Sequence, residues 1–385
     1  MRRAKLFLVL LASVYALVVP GARGARADLD APGITSPSAY LLDVGTGREL
    51  FSKEGHTRRP IASTTKIMTS LLVMERLSLN DDVTISANAA ATGGATIGLK
   101  AGESRKVGEL LKALMLASAN DAAVALAERV GGSVGGFAQL MNEKASALGA
   151  KNTRFVNPHG LAAGNLHYST AADLARISQA AMRLPEFRRL VSTRRYSWET
   201  TESGKPALLT NSNHLLERYP AATGIKTGHT NESGYCLVAS ATKGDRSAIA
   251  VVLGGPSREA SFDDARQLLD WALDRFELKR IVEKNKRYGI LMKAGRSLPL
   301  IAEKTWVELV YDGANGGRIA KRRIDARIRL PIIRGQRLGE LIITRDGKRV
   351  GSVGLVSGRS VTYRYMASGI QDYFRRVVKK IENLL

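Results

Sequence analysis

The 385-residue sequence contains a single cysteine, Cys236, and only five histidines. One cysteine cannot build a disulfide framework, and so few thiol and imidazole groups argue against a structural zinc site. Prolines (11) and aromatic residues (6%) are also sparse, whereas 44% of the residues are hydrophobic. That share is enough for one large domain or two moderate ones with real cores, and it excludes a disordered chain.

The N-terminus lacks a run long enough to span a membrane and instead has the pattern of an export signal. Three basic side chains in the first five residues precede an apolar run at residues 6–19, shorter than the roughly 20 residues of a span. Ala25-Arg26-Ala27 follows as a small-x-small cleavage site. We expect residues 1–27 to be a secretory signal and the exported, extracytoplasmic chain to begin near Asp28. An uncleaved N-terminal anchor is the alternative.

Positive charge is unevenly distributed along the chain. The formal net charge of +23 would by itself suggest a nucleic-acid partner, which export makes improbable. Residues 28–278 carry 28 basic and 26 acidic side chains, whereas residues 279–385 carry 25 basic and 9 acidic ones. This asymmetry predicts a domain boundary near residues 277–279. It also gives the C-terminal part a partner: a surface rich in anionic lipid or anionic wall polymer.

Residues 28–277 read as an α/β domain of the α+β kind. Turn residues at Gly45-Thr46-Gly47 and Gly244-Asp245 predict an early and a late β-hairpin. Between and after the hairpins, apolar periodicity predicts helices at residues 65–77, 107–115, 121–130, 136–148, 171–182 and 261–276. The order predicts one antiparallel sheet assembled from both ends of the segment, with helices packed on it.

Beyond residue 278 the pattern changes to short alternating segments separated by turn residues. Strands are predicted at residues 306–311, 324–330, 340–345, 351–355 and 361–366. Together they indicate a small all-β domain over residues 278–367.

The last residues, 368–385, form a separate segment with a basic amphipathic pattern. An apolar stripe at helical spacing contains Ile370, Tyr373, Phe374, Val377, Val378, Ile381, Leu384 and Leu385. Arg375, Arg376, Lys379 and Lys380 lie off that stripe. The pattern predicts a helix that lies in an anionic membrane interface and attaches the chain peripherally to the outer face of the cytoplasmic membrane. The alternative is a helix that packs its stripe on the protein.

Ser63-Thr64-Thr65-Lys66, at the start of a predicted buried helix, is the first motif that could carry chemistry. Residues three apart on a helix share a face, so the Lys66 amine can lie beside the Ser63 hydroxyl. A lysine accepts a serine proton only if burial or a neighbouring cation keeps it neutral. A second copy, at residues 240–243, lies in a predicted strand, where residues three apart point to opposite faces. We interpret that copy as chance.

Two further motifs follow. Ser118-Ala119-Asn120 lies between two predicted helices and can offer a hydroxyl and an amide to a site, although helix capping is the simpler reading. Lys226-Thr227-Gly228-His229-Thr230 leads into the late hairpin on a predicted edge strand. Its lysine and hydroxyls can hold a carboxylate, and its glycine lets a substrate backbone approach. Alternatively, it is only a lysine before a loop glycine.

Ser-x-x-Lys, Ser-x-Asn and Lys-Thr-Gly, in that order and 55 and then 108 residues apart, resemble the signature of penicillin-binding proteins and serine β-lactamases. Within that group the chain resembles the low-molecular-mass serine D-alanyl-D-alanine carboxypeptidases. The supporting stretches are residues 60–66, 116–122, 157–161 and 224–230. The resemblance covers about residues 39–276 and extends more loosely to a β-rich second domain and a C-terminal anchor. It implies a penicillin-binding fold, with helices on both faces of the antiparallel sheet, and an enzyme that needs no metal or organic cofactor.

The resemblance also implies a reaction and its catalytic groups. Ser63 would be acylated by the penultimate D-alanine of a peptidoglycan stem peptide, which releases the terminal D-alanine, and β-lactams would acylate it as inhibitors. Lys66 would be the general base, and Ser118 would relay a proton towards the leaving amine. Asn120 would hold the acyl-side peptide.

Substrate-binding groups are implied as well. Lys226, with Thr227 and Gly228 beside it, would attract the free carboxylate and help to keep the first-motif lysine neutral. The backbone N–H groups of the nucleophile and of His229 would bind the oxyanion. Arg258 would bind the terminal carboxylate with its guanidinium group. His159 is expected to be structural.

Three other functions remain open. A DD-endopeptidase that cleaves peptidoglycan cross-links could use the same site. A class A β-lactamase is disfavoured, because no Glu-x-x-Leu-Asn sequence lies between Asn120 and Lys226. A non-catalytic peptidoglycan-binding protein is disfavoured because all three motifs are intact.

Overall fold

The computed structural model describes residues 31–161, 164–199, 206–312, 318–345, 347–362 and 373–380. The predicted signal, residues 1–27, and part of the predicted C-terminal helix lie outside these ranges. The helices are α1 (Lys66–Arg76), α2 (Ala87–Ala90), α3 (Val107–Leu116), α4 (Asn120–Gly131), α5 (Val134–Ala147), α6 (Ala171–Ala181), α7 (Pro185–Ser192), α8 (Leu215–Arg218) and α9 (Arg258–Arg275).

The first nine strands belong to the part of the chain where an α/β domain was predicted. They are β1 (Ser38–Asp43), β2 (Glu49–Lys53), β3 (Asp82–Thr84), β4 (Ser104–Lys106), β5 (Arg195–Glu199), β6 (Pro206–Thr210), β7 (Ala222–Thr230), β8 (Gly234–Lys243) and β9 (Arg246–Gly255). Five of them form an antiparallel sheet in the order β2-β1-β9-β8-β7. β1 pairs with β9, so the sheet is assembled from both ends of the segment, as predicted. β3 pairs with β4, and β5 pairs with β6.

The two faces of this sheet bury two different hydrophobic clusters. Leu42, Val238 and Val251 belong to the cluster that contains residues of α1 and α3 to α7. Their sequence neighbours, such as Leu237 and Val252, belong to the cluster under α9. Successive side chains of a strand point to opposite faces, so continuous apolar strands are buried on both sides. The predicted arrangement of helices on both faces is confirmed.

The C-terminal part is all-β before its final helix. Its strands are β10 (Phe276–Val282), β11 (Arg287–Lys293), β12 (Arg296–Ala302), β13 (Trp306–Tyr311), β14 (Arg318–Ile324), β15 (Arg337–Arg345) and β16 (Lys348–Ser357). β10 and β13 form a ribbon, and the other five form a sheet in the order β11-β12-β16-β15-β14. This sheet encloses a third hydrophobic cluster. β10 begins where α9 ends, close to the predicted domain boundary, but Phe276 packs in the cluster under α9.

One predicted strand is wrong. Residues 325–330 do not form a strand; β14 precedes them. The apolar residues Ile324, Ile328 and Leu330 pack against the third cluster from the connection that follows β14. Their spacing therefore reflects the burial of a connection rather than strand pairing. Of the segment predicted at residues 361–366, Val361 forms an isolated bridge with Ile332, and residues 363–366 lie outside the described ranges.

Residues 373–380 are helical. The aromatic rings of Tyr373 and Phe374 are 67% and 61% exposed, and Val378 is 49% exposed. These three side chains of the stripe therefore face solvent, whereas Val377 is half-buried. Searching the described residues finds no helix with the length and apolarity that crossing a bilayer requires.

Candidate active site

The turn that carries Ser63 is a 3-10 turn at Ala62–Thr65, directly before α1. Hydroxyl side chains hold it: Thr64 Oγ1 donates to the carbonyl of Ile61 (2.6 Å), and Thr65 Oγ1 donates to that of Ala62 (2.8 Å). Threonine competes well for such local backbone acceptors. The run of three hydroxyl residues thus fixes the turn and presents the first of them to the cleft.

Lys66 is wholly buried beneath Ser63. Its Nζ lies 2.9 Å from Ser63 Oγ, 2.7 Å from Asn120 Oδ1 and 2.9 Å from the carbonyl oxygen of His159. Burial, with a smaller contribution from the charge of Lys226, holds the pKa of Lys66 well below its usual value. A neutral amine has two N–H groups for the amide and carbonyl oxygens, which leaves its lone pair for the hydroxyl of Ser63. The arrangement therefore suits proton transfer from Ser63 to Lys66.

Asn120 and Asp121, at the start of α4, fix the wall opposite Ser63. Asn120 donates through Nδ2 to the carbonyl of Gly93 (2.9 Å). Asp121 accepts the backbone N–H groups of Ile97 (3.0 Å) and Leu99 (3.2 Å). Two adjacent polar residues thus tie segment 93–99 to the site, and one of them also contacts the buried lysine.

The Ser118-Ala119-Asn120 motif is not a helix cap. Ala119 occupies the N-cap position of α4 and makes no side-chain capping bond, while the Asn120 side chain turns to Lys66 instead. Ser118 has φ +62°, the left-handed region that non-glycine residues seldom adopt. This backbone turn brings Ser118 to the lining of the cleft that contains Ser63.

β7 forms the other side of the site, at the edge of the sheet as predicted. Lys226 is 1% exposed, and its burial lowers the pKa of its amine to about 7. Gly228 passes directly against the 3-10 turn that carries Ser63. A Cβ at Gly228 would lie 2.9 Å from the backbone nitrogen of Ser63 and 3.1 Å from the carbonyl oxygen of Ile61. Only glycine allows the strand to approach Ser63 so closely.

The cleft between these walls has a volume of about 260 Å³. Ser63, Ser118, Thr227, His229 and Arg258 all line it. Arg258 begins α9 and is exposed, so its guanidinium group is available to a ligand. Nothing in the described ranges forms a group of three or more His, Cys, Asp or Glu side chains that could hold a metal ion.

Two cleft residues escape the sequence motifs. Ser212 Oγ lies 2.6 Å from Thr227 Oγ1, and Tyr235 stacks on the His229 ring with centroids 4.1 Å apart. The only sequence signal for Ser212 is its position in a polar Asn-Ser-Asn run after β6, where Asn211 donates to the carbonyl of Thr193 (2.9 Å). Such a run is typical of any loop.

The loop around His159 packs under the turn that carries Ser63. The ring of His159 is mostly buried, its Nδ1 accepts the N–H of Leu161 (3.1 Å), and burial lowers the pKa of the imidazole to about 3. Only its carbonyl contacts Lys66. Gly160 has φ +84°, and a Cβ there would lie 1.9 Å from the carbonyl oxygen of Ala62. The loop therefore supports the site mainly through its backbone.

The second Ser-x-x-Lys copy does not form a site. Ser240, on β8, is buried with its hydroxyl 2.7 Å from that of Thr223. Lys243, at the end of the strand, is exposed and pairs with Asp274 (2.6 Å). The two side chains have separate partners, as expected for residues three apart on a strand.

Comparison with known proteins agrees with this geometry. The sequence pattern of the D-alanyl-D-alanine carboxypeptidase family of peptidases matches residues 25–257. D-alanyl-D-alanine carboxypeptidase DacF of Bacillus subtilis (strain 168) is 37% identical over 321 residues, which cover 81% of this chain and 82% of that protein. The chain belongs to this family. It is a serine peptidase and thus a hydrolase, and the resemblance inferred from its motifs is confirmed.

Other members of the D-alanyl-D-alanine carboxypeptidase family match the C-terminal part as well. DacD of Escherichia coli (strain K12) is 33% identical over 360 residues, which cover 89% of this chain and 91% of that protein. The solved structure of penicillin binding protein 5 from Haemophilus influenzae has a TM-score of 0.71 and 30% identity, over 86% of this chain and 98% of that one. The likeness thus extends beyond the α/β part.

Proposed function

We propose that this family member removes the terminal D-alanine from peptidoglycan stem pentapeptides through an acyl-enzyme on Ser63. One observation carries the proposal: the wholly buried amine of Lys66 lies 2.9 Å from Ser63 Oγ in surroundings that lower its pKa. A serine next to such an amine is an activated nucleophile.

In the acylation step, Ser63 Oγ attacks the carbonyl carbon of the penultimate D-alanine, and its proton passes to Lys66 Nζ. The carbonyl oxygen becomes an oxyanion that accepts the backbone N–H groups of Ser63 and His229. The close approach of Gly228 to the Ser63 nitrogen supports this placement, because it brings the two donors to one corner of the cleft. Ser118 then passes its hydroxyl proton to the leaving amine and takes up the proton held by Lys66, the C–N bond breaks, and D-alanine departs.

Substrate recognition is divided between the two walls. Asn120 Nδ2 uses one N–H on the carbonyl of Gly93, which leaves the other for a carbonyl of the acyl-side peptide. On the opposite wall, Thr227 and Arg258 line the cleft, and Lys226 is buried behind them in β7. Positive charge and a guanidinium fork suit the free carboxylate of the terminal D-alanine.

Deacylation returns the enzyme to its starting state. Once D-alanine has left, a water molecule can take its place, and Lys66, neutral again, removes the proton as the water attacks the ester. The tetrahedral intermediate collapses, the Ser63–carbonyl bond breaks, and the proton returns to Ser63 Oγ. The three close contacts of Lys66 Nζ hold the base in place throughout.

The direct test is release of free D-alanine from diacetyl-Lys-D-Ala-D-Ala by the wild-type chain and by Ser63→Ala. We expect release by the wild type and none by the variant. Ser240→Ala, in the second Ser-x-x-Lys copy, is the matched control and should retain full activity. No release by a wild-type chain that still reacts with penicillin would overturn the proposal and favour a DD-endopeptidase.

Covalent penicillin binding is a second consequence of the same site. Incubation with benzylpenicillin should add one drug mass to the wild-type chain, and peptide mapping should place it on Ser63. An unchanged intact mass would contradict the acyl-enzyme mechanism.

We also propose that the chain is exported and attached to the membrane by residues 368–385. The exposed apolar side chains of Tyr373, Phe374 and Val378 support this, since they share a short helix with four basic residues. Deletion of residues 369–385 should move the protein from the membrane to the soluble fraction and leave D-alanine release intact. Unchanged fractionation would contradict the anchor.

A further inference from the structure

The connection between β14 and β15, residues 325–336, is strongly basic. Arg327, Arg329 and Arg334 are exposed, and in the described part of the chain no hydrogen bond or ion pair holds their guanidinium groups. Asp325 is the only acidic residue of this connection. Three uncompensated positive charges therefore face solvent at one end of the C-terminal sheet.

This connection is well fixed rather than loose. Ile332 and Val361 exchange two backbone hydrogen bonds of 2.8 Å, and the backbone N–H of Arg334 donates to Ser360 Oγ (3.0 Å). Within the turn, the Ile333 N–H donates to Gln336 Oε1 (3.1 Å). The side chain of Ile333 is nevertheless 61% exposed. The fold holds an isoleucine out to solvent between arginines.

The neighbouring strands add more positive charge. Arg323, Arg337 and Arg349, from β14, β15 and β16, surround the nearly buried carboxylate of Glu340 at 2.5, 3.9 and 3.4 Å. A hydrogen bond from Ser352, together with the charge of these arginines, lowers the pKa of Glu340. Even with Glu303, which lies over β16, the arginines outnumber the carboxylates. The cluster remains positive.

The position of the basic connection also matters, because it pairs with Val361, which follows the last strand of the sheet. Val361, bonded to Ile332, is followed after a short stretch of sequence by the helix at residues 373–380. That helix has exposed apolar side chains and four basic residues of its own. The exposed isoleucine and the basic connection therefore lie beside Val361, which precedes the amphipathic helix in sequence.

We propose that the exit face, defined as Arg327, Arg329, Ile333 and Arg334, docks on the headgroups of an anionic lipid membrane. The arginines would bind lipid phosphates, and Ile333 would enter the boundary between headgroups and acyl chains. A polybasic surface adds to a weak hydrophobic anchor, and one amphipathic helix is such an anchor. A soluble polyanion would gain nothing from an exposed isoleucine, so the surface fits a lipid interface better than a dissolved polymer.

The test is binding of the chain from Asp28 onwards to vesicles of phosphatidylcholine with 30 mol% phosphatidylglycerol. Each basic side chain near an anionic leaflet contributes about a fivefold gain in affinity. The triple variant R327Q/R329Q/R334Q should therefore bind at least tenfold more weakly, and R327K/R329K/R334K should bind nearly as well as the wild type. The matched control R183Q/R194Q/R218Q removes three exposed arginines from the α/β part and should change binding less than twofold.

Two results would contradict docking through the exit face. Either both Gln triple variants weaken vesicle binding equally, or neither of them weakens it. Weakened binding to inorganic polyphosphate, with vesicle binding unchanged, would also contradict this docking and favour a wall polymer. The proposal rests on the exported location of the chain but not on its active site. D-alanine release by every variant is measured alongside and should be unchanged, so failure of the docking surface is distinguished from failure of the enzyme.

Discussion

The cleft has a helix wall, formed by α1 and the start of α4, and a sheet wall, formed by β7 and the start of α9. The two walls are built in opposite ways. On the helix wall, Lys66 and Asn120 are buried, and each is held by two or more close polar contacts. On the sheet wall, His229 and Arg258 are exposed, and no described residue forms a hydrogen bond or ion pair with the guanidinium group of Arg258. The base proposed for proton transfer, Lys66, is thus held in place before substrate binds, whereas the guanidinium group of Arg258, proposed for the carboxylate, gains its partner from the substrate. Preformed groups need no reorganisation during the reaction.

The largest effect should come from removing the base of the helix wall. Lys66→Ala should lower kcat/KM for D-alanine release by about 10³-fold or more, since general-base catalysis contributes up to about 10⁴-fold. Penicillin acylation should fall to the same extent, because both reactions begin with the same proton transfer. A variant that loses only one of the two activities would contradict a shared base.

The turn that carries Ser63 should also be sensitive to a new side chain packed against it. Gly160→Ala should cost about 2–4 kcal/mol in the free energy of unfolding, because the new Cβ meets the Ala62 carbonyl in a left-handed conformation. Gly149→Ala, at φ +76° with no neighbour within 4 Å, controls for the strain alone and should cost about 1 kcal/mol. Urea denaturation measures both. Equal losses would show that the packing against the turn that carries Ser63 is loose.

A substitution on the sheet wall should impair substrate recognition more than the acylation chemistry. Arg258→Ala should lower kcat/KM for D-alanine release by about 10- to 100-fold, the range for losing a hydrogen bond to a charged group. Acylation by a β-lactam without the dipeptide end should fall much less. Arg266→Ala, at the next arginine along α9, is a control that should change neither rate. Equal losses of both reactions in Arg258→Ala would indicate a misfolded cleft.

The two walls meet through the buried lysines, which gives a pH test. The charge of Lys226 helps to lower the pKa of Lys66, so Lys226→Gln should raise the pKa of Lys66. Because only neutral Lys66 accepts the serine proton, activity falls as pH decreases through its pKa. The acid limb of penicillin acylation should therefore move to higher pH in the variant. Lys243→Gln, at an exposed residue far along β8, should leave the limb in place. An unshifted acid limb in Lys226→Gln would show that the charge of Lys226 does not influence the pKa of Lys66.

The sequence alone was enough to predict those features of the fold and the site that depend on local periodicity. The contact between Ser63 and Lys66 follows from one helical turn, and the sheet follows from two apolar hairpins. The contact of Lys66 with the His159 carbonyl could not be predicted, because every residue has a carbonyl group and only the fold selects one. The strand misplaced at residues 324–330 failed for a related reason: apolar alternation reports burial, and two different backbones can bury the same residues.

Ser212 is the feature of the sheet wall that the sequence concealed, and it should have the smallest effect. Its hydroxyl lies 2.6 Å from that of Thr227 and can fix the direction in which Thr227 donates to a carboxylate. Ser212→Ala should raise KM for the tripeptide about fivefold, the value of one neutral hydrogen bond, and leave kcat nearly unchanged. Ser240→Ala removes the same kind of Ser–Thr contact, with Thr223, away from the cleft and should not alter KM. A lower kcat with an unchanged KM would instead indicate that Ser212 contributes to the chemical step, as the residues of the helix wall are proposed to do.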